Sequence, residues 1–252
     1  MTAVPAEAEA VTRGLAGFAP PGPPRRLRSG HTVSHTRWGG LYGVPAPGAA
    51  GTTVPDVLVD VVAAGVGPAA AAVGATSALA SAPYAYDLVV SAGIGGGFPP
   101  HAPLGAVVVS DAIVAADLGA DTPGGYLTVE ELGFGRSVHR PPAEVTGRIA
   151  AALQAGGQRH VVAPVLTVST VTGTADRTAE LVARHPRAAA EAMEGFGVAE
   201  AAAAHGVPVV ELRAVSNTVG PRDRAAWQIG RAMDSLRYAF ELIATTVFLE
   251  DL

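Results

Sequence analysis

Cysteine and lysine are both missing from this chain. The first absence removes disulfides, thiolate catalysis and cysteine-based metal sites, and it fits a cytoplasmic protein. The second leaves arginine as the standing positive charge; together with abundant Ala, Gly and Pro it reads as the mark of a GC-rich genome and carries no mechanism. Positive charge is short overall: 17 basic residues against 22 acidic ones give a net charge of -5. That balance argues against a nucleic-acid-binding surface and for a small molecule as partner. Long apolar runs are also lacking. No segment reaches membrane-spanning length without Gly, Pro or charge, so no membrane partner is expected. Glu7 and Glu9 interrupt the start of the chain, and no basic stretch precedes them, so no secretory signal is read there.

What the chain does have is apolar mass and alternation. At 252 residues and 49% hydrophobic content, residues 1–252 can bury the core of one large domain. Strand-length β-branched runs alternate with Ala-rich helical stretches, which predicts an α/β fold. Residues 192–219 form its working centre. The spacing predicts a helix over 188–204, a stop at His205-Gly206 and a strand over 207–215. Glu194 falls inside that helix beside Met193, and its carboxylate would be costly to bury without hydrogen-bond donors. Ser216-Asn217 follows at the strand end, and ligands of α/β sheets sit at the carboxyl ends of strands. A solvated Glu and a turn-forming Ser-Asn pair are the plainer alternative.

Met193-Glu194, followed about twenty residues later by Arg213-Ala214-Val215-Ser216-Asn217, is similar to the signature of the purine nucleoside phosphorylase and nucleosidase superfamily. In methylthioadenosine/S-adenosylhomocysteine nucleosidases the strand end reads Ser-Asp, where this chain has Asn. Residues 2–9, 91–98, 168–174 and 216–224 resemble one branch more closely, the futalosine hydrolases of menaquinone biosynthesis. The resemblance spans nearly the whole chain and is weakest over 13–54. It implies a three-layer α/β/α sandwich with a mixed central sheet and no cofactor. It also implies a homodimer or higher homo-oligomer, since relatives build their site at a subunit interface.

In chain order, Pro5 suits a first helical turn with Glu7 near the helix N-terminus, where an acid is also favoured by the macrodipole alone. The resemblance places the water-activating acid at Glu7, in preference to Glu9. Relatives carry a strand ahead of this turn; here only residues 1–4 precede it, so either that strand is very short or the chain begins downstream of its natural start. Residues 18–51 are rich in Pro and Gly, with a short strand expected over 31–38. His31 and His35 lie in that strand rather than on a helix, and no metal site is predicted. A strand over 57–64 runs into the tight turn Gly65-Val66-Gly67-Pro68 and a helix to about Ala80. Residues 87–92 read as a strand and 93–97 as a glycine run that lets main chain approach a flat ligand. Where phosphorylases have a phosphate-holding Arg, this sequence has Ser91, which favours water as nucleophile. Further strands are expected over 105–110 and 160–170, and helices over 142–155, 175–185 and 222–251, the last with a core-facing apolar stripe.

The implied reaction is hydrolysis of a purine N-ribosidic bond, whose transition state puts positive charge on the ribose and negative charge on the base. Glu7 would deprotonate water, and Glu194 would accept hydrogen bonds from the ribose hydroxyls. Asn217 can donate to a 6-oxo group and accept from a protonated N7, a pattern that suits hypoxanthine. The resemblance further implies substrate contacts from Val66, Ile94, Gly95, Thr172, Met193 and Ser216. Arg222 or Arg224 would meet the carboxylate of futalosine's aromatic extension, unless they merely begin a solvent-facing helix. The alternatives are an adenine-releasing nucleosidase acting on methylthioadenosine, S-adenosylhomocysteine or aminodeoxyfutalosine, a phosphate-dependent phosphorylase, and a non-catalytic nucleoside binder.

Overall fold

A computed structural model describes residues 1–15, 23–38, 57–244, 246 and 247. The irregular stretch expected over 18–51 and the end of the helix expected to reach 251 lie partly outside these residues. In chain order the elements are α1 (Pro5–Gly14), β1 (Arg25–Arg26), β2 (Thr32–Trp38), β3 (Val57–Val62), α2 (Pro68–Ser81) and β4 (Val89–Gly97). There follow β5 (Val107–Ala115), β6 (Gly119–Thr122), β7 (Gly125–Thr128), β8 (Val138–His139), α3 (Ala143–Ala155) and β9 (His160–Thr167). The last are α4 (Ala175–Arg184), β10 (Ala190–Ala192), α5 (Gly195–Ala204), β11 (Val209–Thr218) and α6 (Ile229–Ala244).

The main sheet is mixed, in the order β11-β4-β10-β9-β5-β8, and β11 also pairs with β5. That extra pairing closes β11, β4, β10, β9 and β5 into a ring, so the central layer curls on itself instead of lying open. The accumulated twist of a long sheet makes such closure natural, and it hides two strand edges. Helices cover it on two sides. On one, Val11 of α1, Ile149 of α3 and Leu236 and Phe240 of α6 bury against Val107, Val109, Val210 and Leu212. On the other, Ala71 and Ala75 of α2 and Val198 and Ala202 of α5 pack with Val89 and Ile113. The mixed α/β sandwich expected from the sequence is thus present, with its sheet partly closed.

A second sheet, β1-β2-β3, is joined to the first through the start of the chain. Thr2 N–H donates to Val62 O at 2.9 Å, and Ala92 N–H donates to Met1 O at 2.8 Å. Residues 1–3 therefore lie extended between β3 and β4. The two histidines of the strand read over 31–38 have separate partners: His35 bonds the Asp60 carboxylate, while His31 lies near Ser29 Oγ and Ala64 O.

Three local readings are corrected. The helix expected over 188–204 splits: Ala190–Ala192 is a buried strand, paired with both β9 and β4, and the helix starts only at Gly195. Alanine's helix preference yields here because its small side chain fits the crowded interior of the closed ring. The glycine run 93–97 continues β4 instead of following it. Ser216-Asn217 likewise lies within β11, at an irregularity in its pairing with β4 between Val215 and Asn217.

Candidate active site

Pro5 fixes the first turn of α1 and places Glu7 at its third position, where the carboxylate reaches back over the helix start. Ala3 N–H and Val4 N–H donate to Glu7 Oε2 at 2.9 and 3.3 Å. On the other side, Ile94 N–H donates to Oε1 at 2.9 Å, tying α1 to β4. The side chain is buried. The sharp approach needs Gly93: a Cβ there would stand 2.5 Å from Glu7 Oε1 and 2.6 Å from Arg213 Nη1. The glycine run thus makes room for charged side chains of the protein itself.

Glu194 is equally buried, at the junction between β10 and α5. Its Oε1 accepts from Gly67 N–H at 3.2 Å, which brings in the turn after β3, and its Oε2 lies 3.2 Å from Arg213 Nη1. Arg213 is only 1% exposed. Its Nε–H donates to Glu211 Oε1 at 2.8 Å, Nη2 to Ser91 Oγ at 3.3 Å and Nη1 to Ile94 O at 3.4 Å. Burial alone would pull the guanidinium down, yet the carboxylates of Glu211, Glu194 and Glu7 together hold it above its ordinary range. Glu211 moves up because burial disfavours its anion more than Arg213 supports it.

Arg213 pairs in register with Gly93, Val215 with Gly95 and Asn217 with Gly96. The site therefore runs along the second half of β4 and β11, not beyond their ends, because a strand without side chains is itself an approachable face. Ser216 is buried, with its hydroxyl 3.2 Å from Gly95 O and 2.8 Å from Asn217 Oδ1. Donation from that hydroxyl to Oδ1 orients the Asn217 amide, whose NH2 donates to Thr218 O at 3.1 Å and has a second N–H beyond that bond. Met193, Ile94, Gly95 and Asn217 are half-buried, and Val66 is exposed in the turn before α2. Thr172 is buried, and both its N–H and its hydroxyl bond the Glu191 carboxylate, so that side chain pins the loop over 171–174. Burial raises Glu191 above the usual carboxylate range.

Arg222 and Arg224 stand in the exposed turn before α6, their guanidinium carbons 5.4 and 5.7 Å from the Trp227 ring centre. Gln228 N–H donates to Ser216 O at 2.7 Å and returns this turn to the strand, while Arg222 passes within 3.6 Å of where a Gly173 Cβ would be. The helix read from residue 222 begins only at Ile229. A separate cavity of about 550 Å³, lined by Val59, Val61, Leu88 and Val90 and by the polar Asp60, Tyr84 and Tyr86, opens between β3 and β4 and includes neither Glu194 nor Asn217.

Residue reasoning missed Arg213, Glu211 and Glu191 as parts of the site. A signal for the first two was present: opposite charges two apart in an apolar strand share one face and can pair there. Nothing local marks Glu191, whose partner is a loop 19 residues away in sequence.

The mixed α/β sheet is that of a nucleoside phosphorylase-like fold, and residues 49–246 match the family model described as the Phosphorylase superfamily. Futalosine hydrolase of Streptomyces coelicolor is 62% identical over 73% of this chain and 78% of that protein. Futalosine hydrolase of Acidothermus cellulolyticus is 41% identical over 95% and 87%. Among solved structures, futalosine hydrolase of Helicobacter pylori superposes with a TM-score of 0.76 at 14% identity, covering 97% of this chain and 95% of that one. The S-adenosylhomocysteine nucleosidase of Streptococcus pyogenes gives 0.74 at 18%, covering 95% and 94%; both likenesses speak for the fold. The chain belongs to the phosphorylase superfamily and, within it, to the futalosine hydrolases.

Proposed function

We propose that this enzyme hydrolyses the N-ribosidic bond of futalosine, releasing hypoxanthine and dehypoxanthinyl futalosine, a step of menaquinone biosynthesis. The observation that carries the reading is the buried Glu194–Arg213 pair beside the Ser216-Asn217 strand segment, in a chain so similar to known futalosine hydrolases. As the bond to the base lengthens, positive charge gathers on the ribose, and Glu194 strengthens its hold on the sugar hydroxyls in the transition state. Glu7 takes the proton of the attacking water; Oε2 already accepts two N–H groups, whereas Oε1 accepts one and keeps a second lone pair for the water. Asn217 donates to the purine 6-oxo group, and the N7 proton arrives through solvent, since an amide does not titrate.

Water is the nucleophile rather than phosphate. Ser91 occupies the position of the phosphate-holding Arg, and its hydroxyl is engaged by Arg213. A second guanidinium there would meet Arg213 in a sealed interior, at a high electrostatic cost. Arg222 and Arg224, without ion-pair partners among the described residues and stacked on Trp227, suit the carboxylated aromatic part of the substrate. Val66, Ile94, Gly95, Thr172 and Met193 complete the proposed substrate contacts. Among the described residues no helix is long and apolar enough to cross a membrane. We place the enzyme in the cytoplasm as a homodimer or larger homo-oligomer of one domain, as its resemblance to the nucleosidases implies.

The deciding experiment identifies products after incubation with futalosine, inosine and methylthioadenosine, each with and without phosphate. Hypoxanthine from futalosine without phosphate is expected. A strict phosphate requirement would instead mark a phosphorylase, adenine from methylthioadenosine the other nucleosidase, and no released base a binder.

A further inference from the structure

Glu211 is the one buried acid of the cluster that the mechanism leaves idle. Its carboxyl group is wholly enclosed, and Oε2 has no hydrogen-bond partner among the described residues. Room for it exists only because residue 195 is glycine: a Cβ there would stand 2.0 Å from Glu211 Oε2 and 2.3 Å from Oε1. The bond it accepts, 2.8 Å from Arg213 Nε, is the shortest that the guanidinium makes. Its other contacts, to Glu194, Ser91 and Ile94, run from 3.2 to 3.4 Å.

A guanidinium is planar, so a short bond at Nε sets the plane in which both amino groups lie. Glu194 in turn has few fixed partners besides Arg213: the Gly67 and Met193 N–H groups stand 3.2 and 3.4 Å away. We infer that Glu211 is a positioning residue, holding Arg213 in the orientation that presents one amino group to Glu194 and so fixes the carboxylate that grips the ribose. An unpartnered anionic oxygen in this enclosure would cost more than an unpartnered hydroxyl, and burial shifts the group in that direction.

The inference rests on Glu194 being the ribose-binding carboxylate, so Glu194→Gln is assayed alongside. Glu211→Gln keeps the shape and the acceptor for Arg213; Glu211→Met keeps the volume and loses the acceptor. With futalosine as substrate, Glu211→Gln should retain kcat within about threefold, whereas Glu211→Met should lose at least about tenfold in kcat with KM changed less than about threefold. Thermal unfolding confirms that each variant is folded. A Met variant of full kcat, even one with lowered Tm, would leave Glu211 a purely structural residue and overturn the inference. A tenfold loss in the Gln variant would do the same, and decides the matter by itself should the Met variant not fold. Full activity of Glu194→Gln would instead strike at the underlying reading.

Discussion

Glu194 is a buried acid whose nearest cation, Arg213, is held in turn by Glu211, and this chain of contacts is what makes the site sensitive to single atoms. Replacing one carboxylate oxygen by an amide in Glu194→Gln preserves shape but removes the charge that answers a cationic ribose. Turnover should fall by at least about a hundredfold, with the Tm changed little. Steady-state kinetics beside a melting curve checks this, and near-normal kcat would remove Glu194 from the site. Asn217→Asp tests the reading of the base. An ionised carboxylate set against a purine O6 repels it and costs on the order of 2 to 4 kcal/mol in transition-state binding, or roughly thirty- to a thousand-fold in rate. The ratio of kcat/KM for futalosine to that for its 6-amino counterpart, aminodeoxyfutalosine, should move towards the amino substrate. A stationary ratio would mean that Asn217 does not read the base. At this scale the sequence offers a reading where a residue type is tied to one chemistry, as proposed for Asn217. It was silent on Glu191, whose role arises only when a distant loop folds over it.

The elements meet at closely packed glycines, and these are the places where one methyl group separates packing from catalysis. Gly197 of α5 faces α2, where an added Cβ would lie 2.0 Å from Pro68 O. Gly197→Ala should therefore push the two helices apart and cost about 1–3 kcal/mol of stability, seen as a lowered Tm, while kcat below the transition stays near wild type. Gly93→Ala should behave in the opposite way. Its Cβ would displace Glu7 and Arg213, the charged side chains of the site, so kcat should fall by more than about tenfold. Equal losses of stability and activity in both variants would contradict this division. The elements themselves were mostly legible from period and breakers, as in the strand–turn–helix over 57–81. The failure at 188–204 is informative: the stretch Ala188-Ala189-Ala190-Glu191-Ala192, of helical composition, ends in a strand because two neighbouring strands claim the backbone of Ala190–Ala192.

At the scale of the whole molecule, buried acids make folding proton-dependent. Glu211 and Glu191 both lie above the ordinary carboxylate value of 4.5 in the folded protein, through burial. Folding then takes up protons wherever the unfolded chain has released them. Their contribution is fully present below that ordinary value and is lost as the pH rises towards the folded values. Urea unfolding should accordingly show stability declining as the pH rises above the ordinary carboxylate range, with a shallower decline in Glu211→Gln, which has no proton to take up. An identical slope in the variant would mean that Glu211 folds as an anion.

By itself the sequence determined the α/β class and most of the turn positions, because periodicity, glycine and proline act within a few residues, and it proposed the site residues because amide or carboxylate chemistry travels with the side chain. Only the tertiary structure decided that the sheet closes on itself, that Ala190–Ala192 is a strand, and that Ser216-Asn217 lies within β11. It alone revealed that Glu7, Glu194 and Glu211 gather around one arginine. Backbone pairing and charge burial are set by neighbours scores of residues away, and a local pattern carries no record of them.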